Sequence, residues 1–309
     1  MTERLAAIDV GTNTVLLLVA ERRGDALLPV LERAEITRLG RGVDASGRLD
    51  PAAIRDTVAV VASYAADARR LGAGEIVCVA TSAARDASNG AEFFAAAEAA
   101  AGLLPQVISG DEEARLVYAS AWRDFGGGGP LAVLDVGGGS TEFTIGDGSA
   151  PRARTSLQVG AVRLTERHVR GDPIPAPELA ALSAAAREAL LPIVPLSRDA
   201  PGARLVGVAG TVTTLEAVKQ ALPSYDAQRV HGATLARADV EALVERLAAL
   251  PVRARAALPG MEPKRADVIV AGAVVVAEAM RAGGYDRLVV SDRGVRWGLL
   301  HDRPSRRGP

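Results

Sequence analysis

The sequence predicts an α/β protein of two related domains, each built on a mixed sheet. Two observations carry this. AAIDVGTNTVLLLVAE (Ala6 to Glu21) and LAVLDVGGGSTEFTIGD (Leu131 to Asp147) share one pattern: an apolar run, an aspartate, a Gly-rich turn with hydroxyl residues, and a second β-rich run. After each hairpin comes a third strand pattern and then an alternation of helix and strand patterns.

The elements follow in order. The first half reads as strands at about 5–11, 14–21 and 27–39, a helix at 51–71, a strand at 75–80, helices at 82–102, a strand at 105–108 and a helix at 110–124. Asp50-Pro51 opens the helix at 51–71, since proline suits the first helical position. FGGGGP (Phe125 to Pro130) then breaks the pattern and is read as an interdomain hinge, giving domains 1–125 and 126–309. The second half repeats the order, with strands at 131–136, 141–147 and 151–159, helices at 160–191, a strand at 204–208 and a helix at 211–221. Helices at 236–283, a strand at 287–290 and a helix at 294–301 complete it, the last helix being one that could pack back on the first domain. The short stretch Arg303 to Pro309 is expected to fray. Ligands of such sheets sit at the carboxyl ends of the strands, which puts the expected site in a cleft between the duplicated domains.

Composition narrows the function. Hydrophobic residues make up 49% of the 309, but they are spread among charges, and no run approaches the roughly 18 apolar residues of a membrane span. No cleavable signal pattern opens the chain, so a cytoplasmic protein is expected. The single cysteine, Cys78, lies in the apolar run EIVCVATS and excludes a disulfide framework or thiolate cluster. A net charge of −1 gives no push towards nucleic acid or membrane. No GxxxxGK[ST] motif is present, which excludes a P-loop enzyme.

The two turns, Gly11-Thr12-Asn13-Thr14 and Gly137-Gly138-Gly139-Ser140-Thr141, are candidate phosphate cradles because they expose backbone N–H groups and short hydroxyls without bulk. Each follows an aspartate at the end of a buried strand, a costly place unless the carboxylate is paired or near a metal. Asp9 and Asp135 are therefore metal-side candidates. Where the first copy has Leu16, the second has Glu142. A carboxylate beside a phosphate loop repels its ligand unless a cation intervenes, so Asp135 and Glu142 form the expected pair for Mg²⁺ or Mn²⁺.

ISGDEEARLVYASAW (Ile108 to Trp122) starts a helix in which Ser109 and Glu112 fit a capping box. Glu113 is not needed for the cap and points about 100° away around the helix. Spacing alone leaves it equally a general base and a solvated face. ATSAARDA (Ala80 to Ala87) leaves a strand for a helix, and Arg85 lies one turn in, within reach of a phosphate or simply at the surface. GVAGTVTTLEAV (Gly207 to Val218) offers Gly210 and Thr211 at a further helix start, another anion site. His231-Gly232 falls in an expected loop, where a turn role competes with ligand contact.

AIDVGTNT, ATSAAR, ISGDEEARL, VLDVGGGSTE, VAGT and GVRWG, in this order and spacing, closely resemble the exopolyphosphatase / guanosine pentaphosphate phosphohydrolase family, over about Ala6 to Leu300. The resemblance implies two RNase H-like domains of the actin, sugar-kinase and Hsp70 superfamily around a cleft, and Mg²⁺-dependent hydrolysis of a terminal phosphoanhydride. It matches Glu113 to the family's catalytic glutamate, Arg85 to its phosphate-binding arginine, and Asp135 and Glu142 to its metal-side carboxylates. The two Gly turns match its phosphate loops and Asp9 its first-loop aspartate. Longer members continue into a helical domain resembling HD-type hydrolases, which these 309 residues do not include. Trp297 stands where the family pattern has an acidic residue, and it is expected in the core. The expected substrate is inorganic polyphosphate, or alternatively pppGpp, with a superfamily kinase and a weakly active polyphosphate- or nucleotide-binding regulator as the remaining readings. The resemblance also admits a homodimer.

Overall fold

The computed structural model describes residues 3–303, so the expected fraying of the tail beyond Arg303 lies outside the described residues. By packing, the chain divides into two units, one of Met1–Leu116 with Val295–Pro309 and one of Val117–Gly294.

The first unit contains β1 (Glu3–Val10), β2 (Thr14–Arg23), β3 (Ala26–Ile36), α1 (Val43–Ser46), α2 (Pro51–Arg70), β4 (Glu75–Ala80), α3 (Ser82–Asp86), α4 (Gly90–Ala101) and β5 (Gln106–Val107). Its five-stranded sheet runs β3-β2-β1-β4-β5. β1 is antiparallel to β2 and parallel to β4, with Asp9 opposite Leu16 on one side and Val79 on the other. Six consecutive buried residues from Leu5 to Val10 mark β1 as a central strand covered on both faces. β3 is an exposed edge, and its Pro29 sits at the register shift against β2, where a missing N–H is tolerated. Asp50 caps α2 through the N–H groups of Ala52 and Ala53, and the helix buries Ile54, Val58, Val61, Ala65 and Ala68.

α5 (Gly110–Phe125) begins in the first unit and ends in the second. The second unit continues with β6 (Leu131–Val136), β7 (Thr141–Gly146), β8 (Ala153–Leu157), α6 (Ala161–His168), α7 (Ala176–Ala189), α8 (Ile193–Arg198), β9 (Arg204–Val208), α9 (Ala209–Lys219) and α10 (Ala227–Val230). It closes with β10 (Thr234–Ala236), α11 (Arg237–Ala248), α12 (Val252–Ala256), a 3₁₀ turn at Pro263–Arg265, α13 (Ile269–Gly283) and β11 (Arg287–Val290). Its sheet runs β10-β11-β9-β6-β7-β8. Counted from each hairpin, both sheets have the order third, second, first, fourth, and only the second adds the antiparallel edge strand β10. α13 is buried from Ile269 to Met280 and forms the centre of this unit's core.

α14 (Val295–Asp302) returns to the first unit, where Gly298 lets it lie against the Leu116 backbone with no room for a Cβ. Trp297 is 1% exposed, a core residue as expected. The border differs from the expected hinge at FGGGGP. The second half of α5 packs with the second unit, the Tyr118 hydroxyl donating to Gly148 O at 2.9 Å, so the glycine run falls inside that unit. A glycine run reports chain freedom, not the side on which the preceding helix packs. Among the described residues, no helix is long and apolar enough to cross a membrane.

Candidate active site

Both turns are built alike. Val10 pairs with Val15 and Val136 with Thr141, leaving four-residue connections in which Gly11 N–H donates to Thr14 O and Gly137 N–H to Ser140 O, each at 3.0 Å. The next carbonyls are spent on a buttress. Thr12 O accepts from Gly40 N–H, and Asn13 O accepts from Thr37 and Arg38 N–H. In the second copy Gly137 O accepts from Ala161 N–H, and Gly138 O from Val162 and Arg163 N–H. In a trans peptide the N–H lies antiparallel to the C=O. The N–H groups of Asn13 and Thr14, and of Gly138 and Gly139, therefore point away from their buttresses, the arrangement that makes an anion cradle. Thr12, Asn13 and Ser140 are buried beside these turns. Thr141 is turned inward instead, its hydroxyl donating to Val159 O at 2.6 Å, which leaves it a structural tie.

The paired aspartates occupy matching places in the two sheets. Asp135 faces Glu142 across one ladder and Val208 across the other, as Asp9 faces Leu16 and Val79. Asp135 and Glu142 are 8% and 2% exposed, and Ser156 on β8 donates to Glu142 Oε1 at 2.7 Å. Like charges placed directly opposite destabilise a sheet, so this pair suits a cation. Burial pushes the Asp9 carboxyl up to about 6, against the pull of Arg296, and Asp9 Oδ1 is buried without a hydrogen-bond partner. Among the described residues no three His, Cys, Asp or Glu side chains converge as a metal cage. Two carboxylates fit Mg²⁺, which keeps several waters and takes one or two protein carboxylates plus substrate phosphates.

Glu113 is 9% exposed and its Oε2 lies 3.7 Å from Arg85 Nη1. Arg85 Nη1 also donates to Ile108 O at 3.0 Å, which fixes the guanidinium, while its Nη2 is buried without a partner. A fixed guanidinium with an unspent donor beside a buried carboxylate is suited to hold a phosphate next to a base. Glu112 behaves differently from its expected role. Ser109 does cap α5 through Glu112 N–H at 3.1 Å, but the Glu112 carboxylate forks onto Arg115 at 2.7 and 2.8 Å. The reason is competition: Arg115, anchored also by Asp302, offers two charged donors where the cap offers one neutral N–H.

Gly210 and Thr211 lie two positions further into a helix than expected, because α9 already starts at Ala209, held at φ 73°. Thr211 is 2% exposed and packs on Gly272, so its backbone N–H alone remains suited to an anion. Sequence reasoning missed Arg265, whose guanidinium lies directly over Gly210, and Arg296, which donates to Leu17 O at 2.8 Å near Asp9. Arg296 lies within the GVRWG match, but neither residue's partner can be read locally, since each acts on residues distant in sequence. His231 has a structural role, its Nδ1 lying 2.9 Å from Asp292 Oδ1 and its ring against Phe125.

Two units of this topology, each with a phosphate-type turn after a buried aspartate, define an actin-like, RNase H-like phosphate-handling fold. Comparison gives the particular family. A sequence model of the Ppx/GppA phosphatase family matches residues 18–306. The chain is 40% identical to exopolyphosphatase 2 of Mycobacterium tuberculosis, covering 96% of this chain and 97% of that protein. It is 31% identical to exopolyphosphatase 1 of the same organism, over 96% and 87% of the two chains. The crystal structure of the Aquifex aeolicus member of the Ppx/GppA family superposes with a TM-score of 0.82 at 32% identity, over 97% of both chains. The chain belongs to the Ppx/GppA phosphatase family.

Proposed function

We propose that this protein is an exopolyphosphatase that releases orthophosphate from the end of inorganic polyphosphate, using water as nucleophile and Mg²⁺ or Mn²⁺ as cofactor. The observation that carries the reading is the Glu113–Arg85 pair, a buried carboxylate 3.7 Å from a guanidinium that retains an unspent buried donor. The names of the two mycobacterial relatives support the substrate.

Phosphoryl transfer needs little covalent help from a protein, and positioning with charge neutralisation supplies most of the rate. Arg85 holds oxygens of the terminal phosphate through Nη2. Glu113 accepts a proton from the attacking water, whose oxygen bonds to the terminal phosphorus as the bridging P–O bond breaks. The bridging oxygen leaves with the shortened chain. The Asn13 and Thr14 N–H groups of the first turn, and the Gly138 and Gly139 N–H groups of the second, each offer donors to non-bridging phosphate oxygens. Asp135 and Glu142 would hold a divalent ion, with Asp9 as the further candidate carboxylate, and the ion would supply neutralisation of phosphate charge.

The test is phosphate release measured with Mg²⁺ across long polyphosphate, short polyphosphate, pppGpp and ATP. Release from polyphosphate well above the other substrates is expected. Preference for pppGpp, or ATP consumption only with an acceptor present, would replace the reading.

A further inference from the structure

The second turn has three successive carbonyls turned towards the start of α6, and the third is held in a different way from the other two. Gly137 O and Gly138 O are taken by the backbone N–H groups of Ala161, Val162 and Arg163, the otherwise unpaired donors at the start of α6. Leu164 N–H is already committed to Gly160 O. None of the three donors of the first turn of α6 goes to Gly139 O. That carbonyl accepts instead from Arg163 Nε at 2.8 Å, while Arg163 Nη2 donates to Gln158 Oε1 at 2.9 Å and fixes the guanidinium plane. In the first turn the matching carbonyl, Asn13 O, is held by two backbone N–H groups, so no side chain is required there.

We propose that Arg163 is a positioning residue of the second phosphate turn: by holding the Gly139 carbonyl it aims the Ser140 N–H alongside those of Gly138 and Gly139, giving one phosphate three backbone donors. The inference rests on the polyphosphate reading for its substrate, but its geometry belongs to the turn alone. Lysine cannot replace Arg163, because the donor must be Nε of a planar fork fixed at a second point.

Two measurements on the full chain separate the possibilities. In kinetics with polyphosphate, Arg163→Ala is expected to lower kcat about 10- to 100-fold, short of the roughly 10²–10³ that deleting an oxyanion donor costs. KM and Tm should change little, and Arg163→Lys should not restore kcat. A raised KM with intact kcat, rescued by lysine, would mean a plain cationic grip and overturn the proposal, as would an activity loss that only tracks a fall in Tm. In ¹⁵N spectra, titrating inorganic phosphate should shift the amides of Gly138, Gly139 and Ser140 in the wild type and lose only the Ser140 response in Arg163→Ala. An unchanged Ser140 response in the variant, or none in the wild type, overturns it. If the wild type fails to hydrolyse polyphosphate, the functional reading falls, and the amide titration still decides the role of Arg163.

Discussion

Asp135 and Glu142 stand directly opposite each other across the β6–β7 ladder, in the place where Leu16 faces Asp9 across β1–β2. The two hairpins share their turn length and register, so this one exchange changes the chemistry of the second copy. An opposed carboxylate pair costs roughly 0.2–1 kcal/mol in a sheet. Glu142→Gln should therefore leave the metal-free protein as stable as wild type or slightly more so, read as Tm in chelator. Mg²⁺ should raise the wild-type Tm and leave that of the variant nearly unmoved. Equal Mg²⁺ responses would remove Glu142 from the metal side.

Asp9 predicts a pH dependence of definite sign. Its folded pKa, about 6, lies above the ordinary value of 3.8, so the native state binds the proton more tightly than the unfolded chain. The stability it contributes is full below about pH 4 and is lost as pH rises through about 6, a contribution on the order of 3 kcal/mol for two pK units. Asp9→Asn should match wild type in Tm near pH 4 and exceed it above pH 6 in chelator. If the carboxylate faces a cation, Mg²⁺ at pH 8 should close that gap. An Asp9→Asn protein less stable than wild type at pH 8 without metal would contradict the burial argument.

Glu113 and Glu112 are adjacent, yet their substitutions should separate cleanly. Glu113→Gln is expected to slow polyphosphate turnover about 10²–10⁴-fold with substrate binding nearly intact. Glu112→Gln weakens a part-exposed fork onto Arg115 and should cost about 1 kcal/mol or less, visible in Tm and not in kcat. Single-turnover assays beside thermal melts check both. Full activity in Glu113→Gln would remove it from the chemistry.

What the residues made legible on their own was whatever is coded locally. Each hairpin carries its own apolar run, aspartate and glycine turn, so the strand pattern, the turn position and the Leu16/Glu142 exchange could all be read directly from the chain. Helix geometry set Glu113 on another side of α5 from Glu112, but its burial beside Arg85 could not be read from spacing. Arg163, Arg265 and Arg296 could not be found this way. Arg296 holds Leu17 O from 279 positions away, and Arg265 covers Gly210 only because the 3₁₀ turn packs on α9. The unit border inside α5 was hidden for the same reason, since which half of a helix packs where depends on partners such as Gly148 and Gly298 rather than on the helix's own pattern.

The buttresses behind the two turns predict a difference between two glycines. A Cβ on Gly160 would come within 2.5 Å of Gly138 O and 2.8 Å of the Gly139 carbonyl carbon, all backbone of the phosphate turn itself. A Cβ on Gly40 would chiefly meet the Thr12 methyl, a side-chain atom, with Ala83 Cβ at 3.1 Å and Thr12 O at 3.2 Å. Overpacking costs about 1–3 kcal/mol when the backbone must move and less when a side chain can yield. Gly160→Ala should therefore displace the second turn, lowering kcat on polyphosphate more than tenfold with a fall in Tm. Gly40→Ala should keep most activity. Measuring both variants side by side, by phosphate release and thermal melt, tests whether the backbone contact behind Gly138 sets the donor geometry. Equal losses in the two would mean that the turns tolerate displacement and that their carbonyl buttresses do not govern the reaction.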